Sequence, residues 1–104
     1  MDLISGATGF IGQRLFHALQ ADGLQCRRLV RKPLPGTDVL AADLADKTAL
    51  TAACSGIERV FHCAGYAHAF SPDSGDDLEK QWQVNFEGTR NLVDAAGQAG
   101  VRRF

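Results

Sequence analysis

The 104-residue sequence has no long apolar run, no excess of either charge, and only three prolines and three cysteines. Its net charge of −1 and pI near 6.2 provide no electrostatic footprint for a nucleic acid or an anionic membrane, so neither partner is expected. No basic segment precedes an apolar one at the start, which predicts neither a signal peptide nor a membrane span. The widely spaced Cys26, Cys54 and Cys63 predict reduced thiols and a cytoplasmic location.

The remaining composition is that of a folded domain. Hydrophobic residues make up 45% and charged residues 22% of the chain, values that exclude disordered and low-complexity classes. At roughly 100 to 200 residues per domain, we expect one domain over residues 1–104.

Short apolar segments alternate with segments of helical periodicity. They predict strands at 3–5, 24–31, 39–42 and 60–64, and helices at 10–21, 46–54 and about 77–98, with no helix between the second and third strands. The alternation predicts a doubly wound, Rossmann-like α/β domain with a parallel sheet in the order 3-2-1-4. Residues 101–104 resemble the approach to a fifth strand, so the domain would be truncated before strand 5 and strand four would be an edge. The apolar face expected for the long helix comprises Leu78, Trp82, Phe86, Leu92, Val93 and Ala96, with Trp82 and Phe86 as core residues.

A glycine motif of the form G-x-x-G-x-x-G occupies residues 6–12 between the first predicted strand and helix. A diphosphate can approach such a turn because side chains are absent, and free N–H groups at the helix N-terminus favour its charge. Gly12 would let the helix pack closely on the strand. Gln13 and Arg14 stand where a P-loop has Lys and Ser or Thr, so nucleotide hydrolysis is disfavoured. A tight turn without a ligand is the alternative.

The motif resembles the cofactor fingerprint of the extended short-chain dehydrogenase/reductases, the NAD-dependent epimerase/dehydratase and 3β-hydroxysteroid dehydrogenase-like group. Three further segments match that group in order, at residues 43–44, 60–65 and 85–92. Together the four segments span essentially the whole chain. The resemblance implies an NAD(P) cofactor.

The resemblance also implies roles for individual positions. Those that would cradle the pyrophosphate are Gly6, Thr8, Gly9, Phe10, Ile11 and Gly12. Those that would line the nicotinamide-side ribose are Cys63, Ala64 and Gly65. Asp43 would accept a hydrogen bond from the adenine amino group, with Leu44 beside the ring, and Asn85 would lie near the ribose or steady the catalytic network. The alternatives are a cap or turn role for Asp43 and a solvated helix position for Asn85.

Cofactor preference depends on the end of the second strand. NAD-binding folds place Asp or Glu about 20 residues beyond the fingerprint, to accept from the ribose 2′-hydroxyl, but Arg31 stands here. A guanidinium pairs with a 2′-phosphate, so we expect NADP to be favoured over NAD. Arg28 is a second candidate, although strand alternation directs it to the face opposite Arg27 and Leu29.

The catalytic elements of the resembled family are absent from the sequence. That family uses a Ser or Thr and a Tyr-x-x-x-Lys, whereas the single tyrosine here is Tyr66 and Phe70 stands four residues later. No catalytic residue is therefore nominated. The loop at 66–75, with His68, Phe70 and Ser74, would contact substrate in a complete enzyme or lie at the surface. His62, Cys63 and His68 lack the spacing of metal ligands, so no metal is expected.

The leading interpretation is the NAD(P)-binding portion of an enzyme acting on a hydroxyl/carbonyl centre. By resemblance, the substrate would be a nucleotide sugar or a sterol-like or flavonol-like alcohol. One alternative is a stand-alone, non-catalytic dinucleotide-binding or interaction module, and another is a remnant that does not fold by itself. The open edge of strand four predicts self-association.

Overall fold

The computed structural model describes residues 1–66 and 75–104. Its strands are β1 (Asp2–Ser5), β2 (Cys26–Val30), β3 (Val39–Ala41) and β4 (Arg59–His62). Its helices are α1 (Phe10–Ala21), α2 (Lys47–Ala53), α3 (Gly75–Gln81) and α4 (Thr89–Ala99), and a π-helical segment (Trp82–Gly88) joins α3 to α4. The predicted alternation of strands and helices is confirmed, and residues 31–38 connect β2 to β3 without a helix. Within the described residues, no helix has the length and apolar character to cross a membrane.

The four strands form one parallel sheet in the predicted order β3-β2-β1-β4. Ser5 of β1 lies opposite Leu29 of β2 and His62 of β4, so the carboxyl ends of these strands meet at one edge. On the outer side of β4, the Val60 N–H donates to the Arg103 carbonyl at 2.9 Å. The edge of strand four is therefore partly covered by the segment predicted to approach a fifth strand.

Helices cover both faces of the sheet. Since neighbouring residues on a strand point to opposite sides, each strand contributes side chains to both buried layers. Leu3 and Leu29 pack with Leu50 of α2 and Leu92 of α4 on one face. On the other face, Ile4 and Val30 pack with residues of α1, including the buried Phe16. A buried leucine of this kind contributes roughly 1.5–3 kcal/mol relative to an exposed one, so these two layers hold the sheet edge in place.

Helix ends follow signals in the sequence. Asp46 precedes α2, and its side chain accepts a hydrogen bond from the Ala49 N–H at 3.1 Å. Gly100 ends α4 in the left-handed conformation, at a φ of 81°.

The predicted long helix differs from the structure in its middle. A π-helical turn accommodates more residues than an α-helical turn, so the apolar face read at a period of 3.6 does not continue through it. Leu92 and Ala96 are buried as expected, but Trp82 and Phe86 are 57% and 47% exposed. Their prediction as core residues is wrong: the two rings stack on each other, with centroids 4.4 Å apart, at the surface. Leu78 and Val93 are also exposed.

Candidate dinucleotide-binding site

The glycine turn brings the start of α1 against the end of β1. Gly6 adopts a left-handed conformation, with φ of 66°, and its carbonyl accepts from the Gly9 N–H at 3.0 Å. A Cβ at Gly12 would lie 2.1 Å from the Gly6 oxygen. Only glycine fits this helix-to-turn contact, so the close packing predicted for Gly12 is present.

The N-terminus of α1 has the features of an anion site. Gly9 is its N-cap in an extended conformation, and none of the described side chains caps the helix. The N–H groups of the first helical turn, at Phe10, Ile11 and Gly12, have no intrahelical acceptor and carry the positive end of the helix dipole. Phe10 and Ile11 are 73% and 69% exposed, and their side chains are apolar. These residues can therefore bind an anion only through their backbone N–H groups.

A cleft of about 400 Å³ lies at the carboxyl edge of the sheet, beside this turn. Its volume is in the range of small-molecule sites, and open α/β sheets bind ligands at this edge. Residues predicted from the sequence that line it are Gly6, Thr8, Gly9, Arg31, Asp43, Leu44, Cys63, Ala64 and Gly65. Lining residues that were not predicted include Ser5, Tyr66 and Val84. The predicted Phe10, Ile11, Gly12 and Asn85 lie outside the lining.

A second cleft, of about 390 Å³, lies by the amino ends of the strands between Met1, Phe16, Gln25 and Asp38. It contains no glycine turn and no free helix N-terminus. The carboxyl-edge cleft is therefore the better candidate for a nucleotide.

Asp43 and Leu44 follow β3 at one wall of the cleft. The Asp43 carboxylate accepts from the Ala45 N–H at 2.8 Å, which is the turn role kept as an alternative; one carboxylate oxygen does this while the residue stays exposed. The Leu44 carbonyl accepts from the buried Asn91 side chain at 2.9 Å, and a Cβ on Gly88 would lie 3.0 Å from Leu44. Asn91 was not predicted as a site residue, since a polar residue on a helix is ordinarily solvated.

Of the three arginines of this region, Arg31 alone lies at the cleft. Arg28 forms an ion pair with Asp38, at 2.6 Å, and its guanidinium lies 4.3 Å from the centre of the Phe16 ring. That pairing lowers the pKa of Asp38, the Arg28 hydrogen bond being the main cause. Arg27 donates instead to two backbone carbonyls, that of Ala53 at the end of α2 and that of Ser55 just after it. Arg27 and Arg28 thus point to opposite faces, as predicted, and neither is available as Arg31 is.

The wall opposite the arginine is the segment after β4, residues 63–66. A Cβ at Gly6 would lie 2.5 Å from the Ala64 nitrogen, so this wall packs directly on the glycine turn. Asn85 holds its far end: the Asn85 side chain accepts from the Tyr66 N–H at 2.8 Å and donates to the Tyr66 carbonyl at 2.9 Å. Asn85 therefore contributes to the site by fixing the backbone of this wall.

Cys63 lies on the same wall, and burial raises the pKa of its thiol, as it does for Cys26 and Cys54. A thiol in that state is a weak nucleophile at neutral pH. All three cysteines are free.

In the part of the chain that the structure describes, no cluster of three or more His, Cys, Asp and Glu residues could hold a metal ion. His62 is bound by Ser5 and Thr89 hydroxyls instead. The loop residues His68, Phe70 and Ser74 lie outside the described residues.

A doubly wound parallel sheet with a glycine turn, a free helix N-terminus and a cleft at the switch between β1 and β4 defines a Rossmann-like fold. The sequence model of the NAD dependent epimerase/dehydratase family matches residues 3–104. The chain belongs to this family.

Individual proteins of similar sequence or structure are consistent with this family. The chain is 38% identical over 108 residues to "Sterol demethylase protein B" of Methylococcus capsulatus, covering 97% of this chain and 32% of that protein. A crystal structure of a short-chain dehydrogenase/reductase superfamily protein from Agrobacterium tumefaciens with bound NAD superposes with a TM-score of 0.85 at 35% identity, covering 100% of this chain and 31% of that one. MoeE5 in complex with UDP-glucose and NAD gives a TM-score of 0.77 at 30% identity, covering 96% of this chain and 33% of that one. The chain thus spans about a third of the length of these relatives.

Proposed function

We propose that residues 1–104 form a dinucleotide-binding domain, or part of one, whose ligand is NAD(P). The observation that carries the proposal is the pair of glycines at which a Cβ would collide with backbone: Gly12 against Gly6, and Gly6 against Ala64. These contacts leave the turn bare of side chains beside uncapped helix N–H groups, which suits a pyrophosphate. The residues that would hold it are the backbone groups of Gly9, Phe10, Ile11 and Gly12, with Thr8 at the cleft.

The other positions extend this proposal along the cleft. Asp43 would receive the adenine amino group beside Leu44, because one carboxylate oxygen is engaged in the turn and the side chain is exposed. Cys63, Ala64 and Gly65 would flank the nicotinamide-side ribose, with Asn85 holding their backbone through Tyr66. When bound, NAD(P) supplies a hydride acceptor or donor. The chain's own residues bind and orient it.

We propose further that the cofactor preferred is NADP. Arg31 is at the cleft, while Arg28 is neutralised by Asp38. A 2′-phosphate would gain a charge-assisted partner in Arg31, whereas a 2′-hydroxyl would gain no acceptor from a guanidinium. Relatives with NAD bound support the dinucleotide class.

The test is titration of the chain with NADPH and NADH by calorimetry. Arg31→Glu is expected to weaken NADPH binding at least tenfold while changing NADH binding less, since it replaces an attractive charge with a repulsive one. Arg102→Glu makes the same change of net charge away from the cleft and should leave both affinities nearly unaltered. Equal losses for the two cofactors on Arg31→Glu would contradict the proposed preference, and absence of saturable binding to the wild-type chain would contradict the proposed function.

As the reaction of the whole protein, we propose oxidation, reduction or epimerisation at a hydroxyl/carbonyl centre. The named relatives support a sterol or a nucleotide sugar as the substrate class. Assay of the full-length protein with NADP and one member of each class tests this, and turnover of neither class would count against it.

We also propose self-association through the part of the outer edge of β4 that Arg103 does not cover. Arg103 occupies the edge at Val60, which leaves the stretch towards His62 for pairing with a second copy. Sedimentation equilibrium should show concentration-dependent association, and a strict monomer would overturn this point.

A further inference from the structure

Three polar side chains join the strands at the cleft to the helix beyond it through consecutive hydrogen bonds. Ser5 Oγ lies 2.6 Å from His62 Nδ1, and His62 Nε2 lies 2.8 Å from Thr89 Oγ1. The Thr89 hydroxyl lies 2.7 Å from the Asn85 carbonyl, to which it donates. The Ala64 N–H donates to Ser5 Oγ at 3.3 Å.

Counting protons fixes the direction of every bond in this series. Thr89 has one hydroxyl proton, which goes to Asn85, so its oxygen must accept from His62 Nε2–H. The Nδ1 atom of a neutral imidazole is then an acceptor and takes the Ser5 hydroxyl proton, and Ser5 Oγ accepts from Ala64. The opposite tautomer would require Thr89 to give up its bond to Asn85 and would leave the Ser5 proton without its acceptor.

The surroundings favour this neutral arrangement. Ser5 is 1% exposed, and among the described residues no buried side-chain nitrogen or oxygen lacks a hydrogen-bond partner. Burial lowers the pKa of His62, and the Phe104 ring lies 5.9 Å from the imidazole. A second proton on the ring would find Ser5 already donating towards it.

The two ends of the series reach the same wall of the cleft. Ser5 directly precedes Gly6 and holds the Ala64 N–H, while the Asn85 side chain holds both backbone groups of Tyr66. Thr89 connects the two anchors, because it accepts from His62 and donates to the Asn85 backbone. The wall at 63–66 is thus bonded near both ends to residues that the hydrogen bonds of His62 and Thr89 join to each other.

We propose that Ser5, His62 and Thr89 act as a positioning relay, in which the Nε2–H tautomer of His62 fixes the wall at residues 63–66 against the glycine turn and thereby sets dinucleotide affinity. This inference rests on the proposed function, dinucleotide binding. None of the three is a catalytic residue, since each acts through the backbone of the wall.

The experiment compares Thr89→Val, which keeps the shape of the side chain but removes its hydroxyl, with Thr89→Ser, which keeps the hydroxyl. Thr51→Val is the matched control, because Thr51 donates to the Lys47 carbonyl four residues earlier, as Thr89 does to Asn85, but on α2 away from the cleft. Long-range ¹H–¹⁵N spectra report the His62 tautomer, and NADPH titration reports the dissociation constant. Ser5→Ala removes the other partner and serves if Thr89→Val fails to fold.

The wild-type chain, Thr89→Ser and Thr51→Val should show the Nε2–H tautomer and dissociation constants within about twofold of one another. Thr89→Val should shift the tautomer towards Nδ1–H, because Nε2–H loses its acceptor while Ser5 Oγ can accept from Nδ1–H; Ser5→Ala should keep the Nε2–H tautomer, because Thr89 still accepts from it. Both variants should weaken NADPH binding about tenfold, the effect expected from losing one hydrogen bond. An Nδ1–H tautomer or a doubly protonated ring in the wild-type chain near pH 7.5 would overturn the relay. Equal affinity of Thr89→Val and Thr89→Ser would overturn its link to the cleft. If the wild-type chain does not bind NADPH, the proposed function fails, while the tautomer spectra still test the relay.

Discussion

Replacing Gly12 with alanine tests the contact that shapes the glycine turn. The new Cβ would lie 2.1 Å from the Gly6 oxygen and 2.8 Å from the Gly6 carbonyl carbon. Ordinary contact begins near roughly 3.5 Å, so α1 and the turn would have to separate by more than about 1 Å. Overpacking of this kind costs about 1–3 kcal/mol, and the higher helix propensity of alanine returns roughly 1 kcal/mol. We expect the free energy of unfolding to fall, by up to about 2 kcal/mol.

The control is Gly97→Ala, the same substitution in α4. A Cβ there meets no atom within 4 Å, so alanine should stabilise the chain by about 0.5–1 kcal/mol. Urea unfolding followed by circular dichroism measures both variants, and NADPH titration should show that Gly12→Ala also loses affinity because the anion site is displaced. Stability and affinity of Gly12→Ala at or above those of the wild-type chain would show that the contact between Gly12 and Gly6 does not shape the anion site.

Two further predictions concern the core and its pH dependence. Leu92→Ala, at a fully buried site between α4 and the sheet, should lower the free energy of unfolding by about 2–5 kcal/mol. Val93→Ala, at a neighbouring residue that is 44% exposed, should change it by less than about 1 kcal/mol. Similar losses of stability in urea unfolding would contradict the assigned buried face of α4. The pKa of His62 is lower in the folded chain than its usual value, so the unfolded chain binds a proton first and stability should fall as the pH drops from 7.5 through the unfolded pKa of about 6.5. Denaturation of the wild-type chain and of His62→Asn between pH 5 and 7.5 measures this, and an identical pH dependence for both would contradict it.

Much of the fold could be predicted because the sequence encodes it locally. The alternation of apolar strands and amphipathic helices predicted a parallel sheet in the observed order. Gly6 and Gly12 lie at backbone contacts that a Cβ atom would not allow. Asp46 and Gly100 marked helix ends by their own side-chain and backbone chemistry.

What could not be predicted depends on distant residues or on a change of helical period. Ser5 and His62 are 57 residues apart, and His62 and Thr89 are 27 residues apart, so no local sequence pattern predicts their hydrogen bonds. Trp82 and Phe86 fit an α-helical face that the π-helical segment interrupts. The engagement of Arg28 by Asp38, which singles out Arg31 at the cleft, is likewise a product of the tertiary structure.

The most direct test of the proposed dinucleotide site is to map the backbone amide shifts of the chain as NADPH is added. The proposed site predicts saturable changes that cluster at the glycine turn, at Asp43 and Leu44, and along residues 63–66. Changes centred instead on Met1, Gln25 and Asp38, around the cleft at the amino ends of the strands, or no saturable change at all, would contradict it.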